Sequence, residues 1–343
     1  MRALPGCIIC NLIYNMVNPT NERKVKGPMT VYVLHENPDW YPPFERAFIE
    51  AGVDAREWLL IEGEIDLDGQ PPDGVFYNRL SASSHTRNHL WTKDYTRALL
   101  DWLEASGRRV VNGRDVVEME VSKVRQLSRL RAFGIDTPRT KAVIGRAGLI
   151  EAAQDFQTPF ITKHNQGGKG LGVRRFDAIH EFVDYVRSDE FEEPVDGITL
   201  LQEYVQPREP FISRIETVGF EYIYTIAADT ARGGFQLCPA DACELDEFGK
   251  PKQAASLFSL REDFHAPVVD QVIAFARANN LEVAGFEFIE SIDGRTVVYD
   301  VNTNTNYNPD VEKVAPKSGP GSVAAYLKRV EAEVGGLVSV GRR

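Results

Sequence analysis

The sequence predicts a mixed chain, a parallel α/β layer followed by α+β sections built on antiparallel hairpins. Three observations carry this. From Val31 to about Asn112 short apolar runs alternate with helical periods, the order in which a parallel sheet and its crossover helices are laid down. A glycine-rich stretch, KHNQGGKGLGV over residues 163–173, lies between two strand-like runs. Later, two β-rich runs flank Asp293-Gly294, a pair suited to a tight hairpin turn.

The first section opens on the strand Thr30–Leu34, after which a helix from Pro43 to Ala51 stops at Gly52. Residues 74–77 form the next strand, a helix follows from Thr92 to Ser106, and Arg109-Val110-Val111 closes the layer. Ligands of such layers sit beyond the carboxyl ends of the strands, which points to His35, Glu36, Asn78, Arg79 and Ser81. Polar loop residues without a task are the alternative for each.

The second section, Val116 to about Val205, begins with a helix over Ser122–Phe133 that sets Val124, Leu127 and Leu130 on one face. The strand Pro159–Thr162, the glycine loop and a returning strand over residues 172–176 follow. The loop has glycines able to close backbone amides on an anion, but Lys169 is followed by Gly170, so the hydroxyl of a Walker motif is missing. The third glycine of a dinucleotide fingerprint would fall on Val173. A loop joining two strands is neither of those strand-to-helix turns.

The third section, Phe211 to about Val334, holds further strands, a helix near Pro267–Asn279, the strand pair and a closing helix from Val323 to Val334. A two-residue turn at Asp293-Gly294 sets Ile292 opposite Arg295, Ile289 opposite Val298 and Glu287 opposite Asp300. Alternation then sends Phe286, Phe288, Val297, Tyr299 and Val301 to a core face, and Glu287, Asp300 and Asn302 to the other. Directly opposed carboxylates repel. A hard divalent cation compensates them, since Mg²⁺ takes one or two carboxylates and leaves its other positions to water and phosphate; an exposed face screened by water is the alternative.

Composition narrows the function. The 39 basic and 50 acidic residues give a net charge of −11 spread along 343 residues, which favours a small-molecule ligand over nucleic acid. No apolar run approaches the ~20 residues of a membrane span. Four cysteines, Cys7, Cys10, Cys238 and Cys243, are too few for a disulfide scaffold and suggest a reducing, cytoplasmic setting. Cys7 and Cys10 form a lone CxxC, and Cys238 and Cys243 are expected to pack rather than react. Residues 1–28 read as a disordered or loosely docked extension with a weak resemblance to a signal peptide, and Met29 is an alternative start.

A lysine-bearing glycine loop in a hairpin, followed by an acid, acid, Asn set on late strands, resembles the ATP-grasp superfamily. The order of elements from Val31 to Asn306 is similar to the branch of ribosomal-protein glutamate ligases, the RimK-like carboxylate–amine ligases. The resemblance implies a pre-ATP-grasp α/β domain over residues 29–115 after the 1–28 extension. The two-lobed ATP-grasp fold would follow, with a central lobe at 116–205, a C-terminal lobe at 206–335 and a tail at 336–343.

Position by position, Lys123 and Lys163 match the nucleotide-binding lysines, and Gly167, Gly168, Lys169 and Gly170 match the lid over the β and γ phosphates. Gln202, Glu203, Tyr204 and Val205 match the hinge whose backbone takes the adenine edge. Arg214 matches an arginine that stabilises transferred phosphate, with Lys163 beside it in catalysis; pairing with Glu216 is the plain alternative for Arg214. Glu287, Asp300 and Asn302 match the ligands of two Mg²⁺ ions, with Mn²⁺ as a substitute. His35, Asn78 and Arg79 are the substrate candidates.

Implied with them are ATP, a small-molecule or peptide carboxylate, an amine, and a dimer or tetramer of the chain. The implied reaction is amide formation through an acylphosphate; a hydroxyl phosphotransferase and a non-catalytic ATP-binding regulator are the rivals. Two departures stand out. Asp300 is one methylene shorter than the Glu usual at the bridging position, and residues 235–238 lack the Arg and Asn of glutamate ligases.

Overall fold

The computed structural model describes residues 29–168, 170, 172–233 and 257–340. The expectations for residues 1–28, Lys169, Cys238, Cys243 and residues 235–238 lie outside the described residues. Three sheets succeed one another along the chain.

The first sheet contains β1 (Val31–His35), β2 (Ala55–Leu59), β3 (Val75–Asn78) and β4 (Arg109–Val111), all parallel in the order β2-β1-β3-β4. The parallel layer matches the sequence reading, apart from β2. That strand is an edge, and its half-exposed Arg56 and Glu57 break the apolar run that betrays a buried strand.

The second sheet is antiparallel, β5 (Thr140–Ile144), β6 (Phe160–His164), β7 (Arg174–Phe176) and β8 (Ile198–Glu203), in the order β5-β8-β6-β7. The glycine loop joins β6 to β7 as a hairpin. Its lobe has its own aromatic core, in which Phe160 and Phe176 both meet the Phe182 ring edge-on, at 5.2 and 5.1 Å. Such contacts add roughly 0.5–1.5 kcal/mol each beyond area burial.

The third sheet contains β9 (Phe211–Val218), β10 (Glu221–Asp229), β11 (Phe258–Leu260), β12 (Val283–Glu290) and β13 (Thr296–Asn302), ordered β11-β10-β9-β12-β13. The final helix, Gly319–Val340, contributes Val323 and Leu327 to a core shared with Phe44 of the first layer and Val218 of β9. That shared core fixes the first sheet against the third and leaves a cleft between them.

The β12–β13 hairpin differs from expectation in one informative way. Glu287 does face Asp300, but Ile289 pairs with Val297 rather than Val298. The turn holds three residues, closed by Ser291 N–H to the Arg295 carbonyl, and only Gly294 takes positive φ, at 87°. A bulge between Glu287 and Phe288 then inserts Tyr299 and restores the register. Phe286, Phe288, Val297 and Val301 are buried as expected, and Val298 joins them. Tyr299 instead turns its ring toward Lys163, whose Nζ lies 5.0 Å from the ring centroid.

Candidate active site

The site assembles on the face of the third sheet that meets the helix Lys123–Ala132. Ser122 caps that helix, accepting from Arg125 N–H at 3.3 Å. Asn165, at the foot of the glycine loop, accepts from Val124 N–H at 2.9 Å through its side chain, and its carbonyl takes Lys123 N–H at 3.2 Å. The lysine-bearing helix end is therefore tied to the loop that follows β6.

Lys123 is 7 % exposed, too buried for a lysine that only solvates a helix. Its ammonium bonds both oxygens of Asp300, at 2.6 and 2.8 Å, and the Lys163 ammonium lies 3.5 Å from one of them. Burial pushes the Asp300 carboxyl up, but the two lysines outweigh it and hold it below the usual range. Lys163 moves down, through burial first and the neighbouring Lys123 charge second, against the pull of Asp300.

Arg214 stands opposite Glu287 in the β9–β12 register. Its Nε lies 2.7 Å from Glu216, Nη1 lies 3.4 Å from Glu287, and Nη2 donates to Thr305 Oγ1. Pairing with Glu216 and reaching the carboxylate pair thus coexist in one fork. Burial raises Glu216 to about 7, against the lowering pull of Arg214 and Thr305. Gly285 makes room: a Cβ there would fall 2.4 Å from Arg214 Nε.

The cleft between the sheets is lined on one side by Lys123, Arg214, Asp300 and Asn302, and on the other by Trp40, Ser81 and Ser83. Gly167 and Gly168 also border it. Gly170 adopts φ 72°, a left-handed conformation suited to glycine.

Hard oxygen donors suit Mg²⁺, and this structure supplies them together: Glu287 opposite Asp300, with Asn302 Nδ2 on Glu287 at 3.0 Å. Asn304 Oδ1, in the lining of the same cleft, is buried without a hydrogen-bond partner. Among the described residues no group of three or more His, Cys, Asp or Glu side chains is arranged to hold a metal. Two carboxylates and an amide meet the needs of Mg²⁺ only where phosphate completes the shell.

Other sequence candidates fall elsewhere. His35 is 3 % exposed, stacked on Tyr41 and bonded to the Asn37 carbonyl; burial, helped by Arg79, lowers it to about 4. Asn78 spends its amide on Asn112 and Leu80 backbone. Arg79 is 2 % exposed, lies over the Phe44 ring and holds the Thr305 carbonyl and Asn306 Oδ1. None of the three lines the cleft.

The hinge candidates sit where β8 ends. Gln202 bonds Thr140, Glu203 accepts from Arg139 N–H and Arg295, Arg175 covers the Tyr204 ring, and Val205 is buried. Sequence reasoning missed Glu120, Gln126 and Tyr299. Gln126 follows Lys123 by three residues, a spacing that places both on one helix face.

No family model and no curated sequence matches this chain. Solved structures do. D-cycloserine synthetase DcsG superposes with TM-score 0.62 at 16 % identity, covering 88 % of this chain and 99 % of that one. A RimK domain ATP-grasp protein from Sphaerobacter thermophilus DSM 20745 gives 0.60 at 15 % identity, with 87 and 98 % covered. D-alanine–D-alanine ligase from Bacillus anthracis, complexed with ATP, gives 0.60 at 15 %, with 90 and 99 % covered. The chain has the fold of the ATP-grasp ligases.

Proposed function

We propose that this protein is an ATP-dependent carboxylate–amine ligase. The observation that carries the reading is the convergence of Lys123, Lys163 and Arg214 on the opposed pair Glu287 and Asp300. Lys123 and Lys163 share the single carboxylate of Asp300, which leaves positive charge for a polyphosphate, and Asp300 released from Lys123 becomes available to a metal. Bound Mg²⁺ would neutralise phosphate charge and align the transferred group. Glu287, Asp300 and Asn302 would hold it, in one or two ions, with Mn²⁺ able to replace it.

In this reading Lys123 and Lys163 grip the phosphates, and the backbone of Glu203 to Val205 takes the adenine edge. Arg214, steadied by Glu216 and Thr305, meets the oxygen atoms of the phosphoryl group as charge shifts onto them. A substrate carboxylate oxygen attacks the γ phosphorus, ADP leaves, and an acylphosphate results. An amine then attacks the acyl carbon, phosphate leaves and the nitrogen loses a proton. Gly167, Gly168 and Gly170 cover the site and keep water from the acylphosphate.

Supporting this class, the similar structure of PsnB is complexed with a minimal precursor, Mg and ADP, and that of MdnC with its precursor peptide. The acid and amine here are small molecules or peptides, in a RimK-like, cytoplasmic enzyme of two or four copies. The test is a screen of carboxylic acids crossed with amines, reading ADP and product mass. ADP together with an amide, only when both partners are present, is the expected result. A phosphorylated hydroxyl without amide would make the protein a phosphotransferase, and no ADP over a broad panel would make it a binding protein.

A further inference from the structure

We propose that Glu120 and Gln126 are positioning residues that set the metal-bearing strand β13 from outside its sheet, an inference that rests on the nucleotide–metal reading above. β13 is the edge of its sheet, so outward backbone groups on it have no neighbouring strand. Gln126 supplies one at a single point. Its Nε2 donates to the Val301 carbonyl at 2.8 Å and its Oε1 accepts from Val301 N–H at 3.1 Å, the two bonds a partner strand would make.

Glu120 takes the next outward position. Its Oε2 accepts from Thr303 N–H at 2.8 Å and Thr303 Oγ1 at 2.9 Å, while Oε1 accepts from Ala82 N–H at 3.0 Å. The Thr303 carbonyl is held from the other side by Asn112 Nδ2 at 3.1 Å. Asp300 and Asn302 therefore alternate with two residues, Val301 and Thr303, whose backbone is fixed from the edge. The Ala82 bond adds the serine-bearing wall of the cleft to the same clamp.

The residue types are not interchangeable. All three partners of Glu120 are donors, which only a carboxylate can accept on both oxygens. Gln126 must donate and accept, since its Nε2 also donates to the Met119 carbonyl at 2.9 Å. Glu120→Gln sets an NH₂ against N–H, and Gln126→Glu sets an oxygen against two carbonyls, with no change of shape. Groups that orient a metal's ligands typically carry 10- to 100-fold of its affinity.

The test is a Mn²⁺ titration by electron paramagnetic resonance in the presence of a non-hydrolysable ATP analogue, with metal-free analogue binding and thermal melting measured alongside. Glu120→Gln and Gln126→Glu are expected to weaken Mn²⁺ about 10- to 100-fold while metal-free analogue binding changes less than about threefold. Thr303→Val removes one of the donors to Glu120 and keeps the side-chain shape; it should cost about three- to tenfold, and it carries the test if the isosteric variants do not fold. Mn²⁺ affinity within about twofold of wild type in Thr303→Val and in every folded variant would overturn the proposal. A wild-type protein that binds no Mn²⁺ with the analogue would overturn this inference and the nucleotide–metal reading together.

Discussion

The two walls of the cleft are built on different principles. On the third-sheet side, Lys123, Lys163, Arg214, Glu287 and Asp300 form one web of charge, and Glu216 stands behind Arg214 at 1 % exposure. On the first-sheet side the lining is neutral. Ser81 and Ser83 bond each other at 2.9 Å, and Trp40 lies beneath the Arg87 guanidinium at 4.7 Å from the ring centroid. Under the proposed reading the difference would separate two tasks: buried charge for phosphate, which is common to every reaction of this kind, and hydroxyls and shape for the choice of partner.

The largest effect should come from the charged wall. Asp300→Asn is expected to lower the rate of ADP release on the order of 10³-fold at saturating Mg²⁺, measured in a coupled assay. A loss under tenfold would dissolve the distinction between the walls.

Next, Ser83→Ala on the neutral wall should raise the KM of one organic substrate by about tenfold, equal to one hydrogen bond, and leave the KM of ATP unchanged. A matching rise in the KM of ATP would show that the serine wall also handles nucleotide.

A further effect concerns stability rather than rate. Glu216 titrates at 4.5 in the open chain and at about 7 when folded, so the folded protein holds an extra proton between those values. Its contribution is fully present below pH 4.5 and is lost as pH rises through about 7, a change of about 3 kcal/mol. The urea midpoint should fall as pH rises across that range in the wild type and stay nearly flat in Glu216→Gln. Equal slopes would place the proton elsewhere in the web.

The charged wall was also the legible one. Opposed acids on a hairpin follow from alternation within a short segment, and Glu287 faces Asp300 as alternation requires, whereas Lys123, Lys163 and Arg214 were marked only by the family resemblance. Its register was reached through two departures that cancel, a longer turn and a bulge, because one-residue irregularities leave little trace in an alternating pattern. Edge strand β2 escaped because its polar residues hide its period. Glu120 and Gln126 act on residues 183 and 175 positions away, and no local pattern announces a side chain that replaces a strand. The neutral wall had only serines and loop position to offer, which many loops share.

The inserted Tyr299 has a consequence for how this ribbon tolerates change in length. Because the residue is supernumerary to the ladder, its removal would leave Phe288 beside Val298 and Glu287 beside Asp300, and the acids would keep their alignment. What would vanish is the aromatic floor under the Lys163 ammonium. The extra residue is thus an ornament to the ribbon's arithmetic but furniture for the lysine, and chains with a shorter ribbon can keep the acids while giving up the cushion.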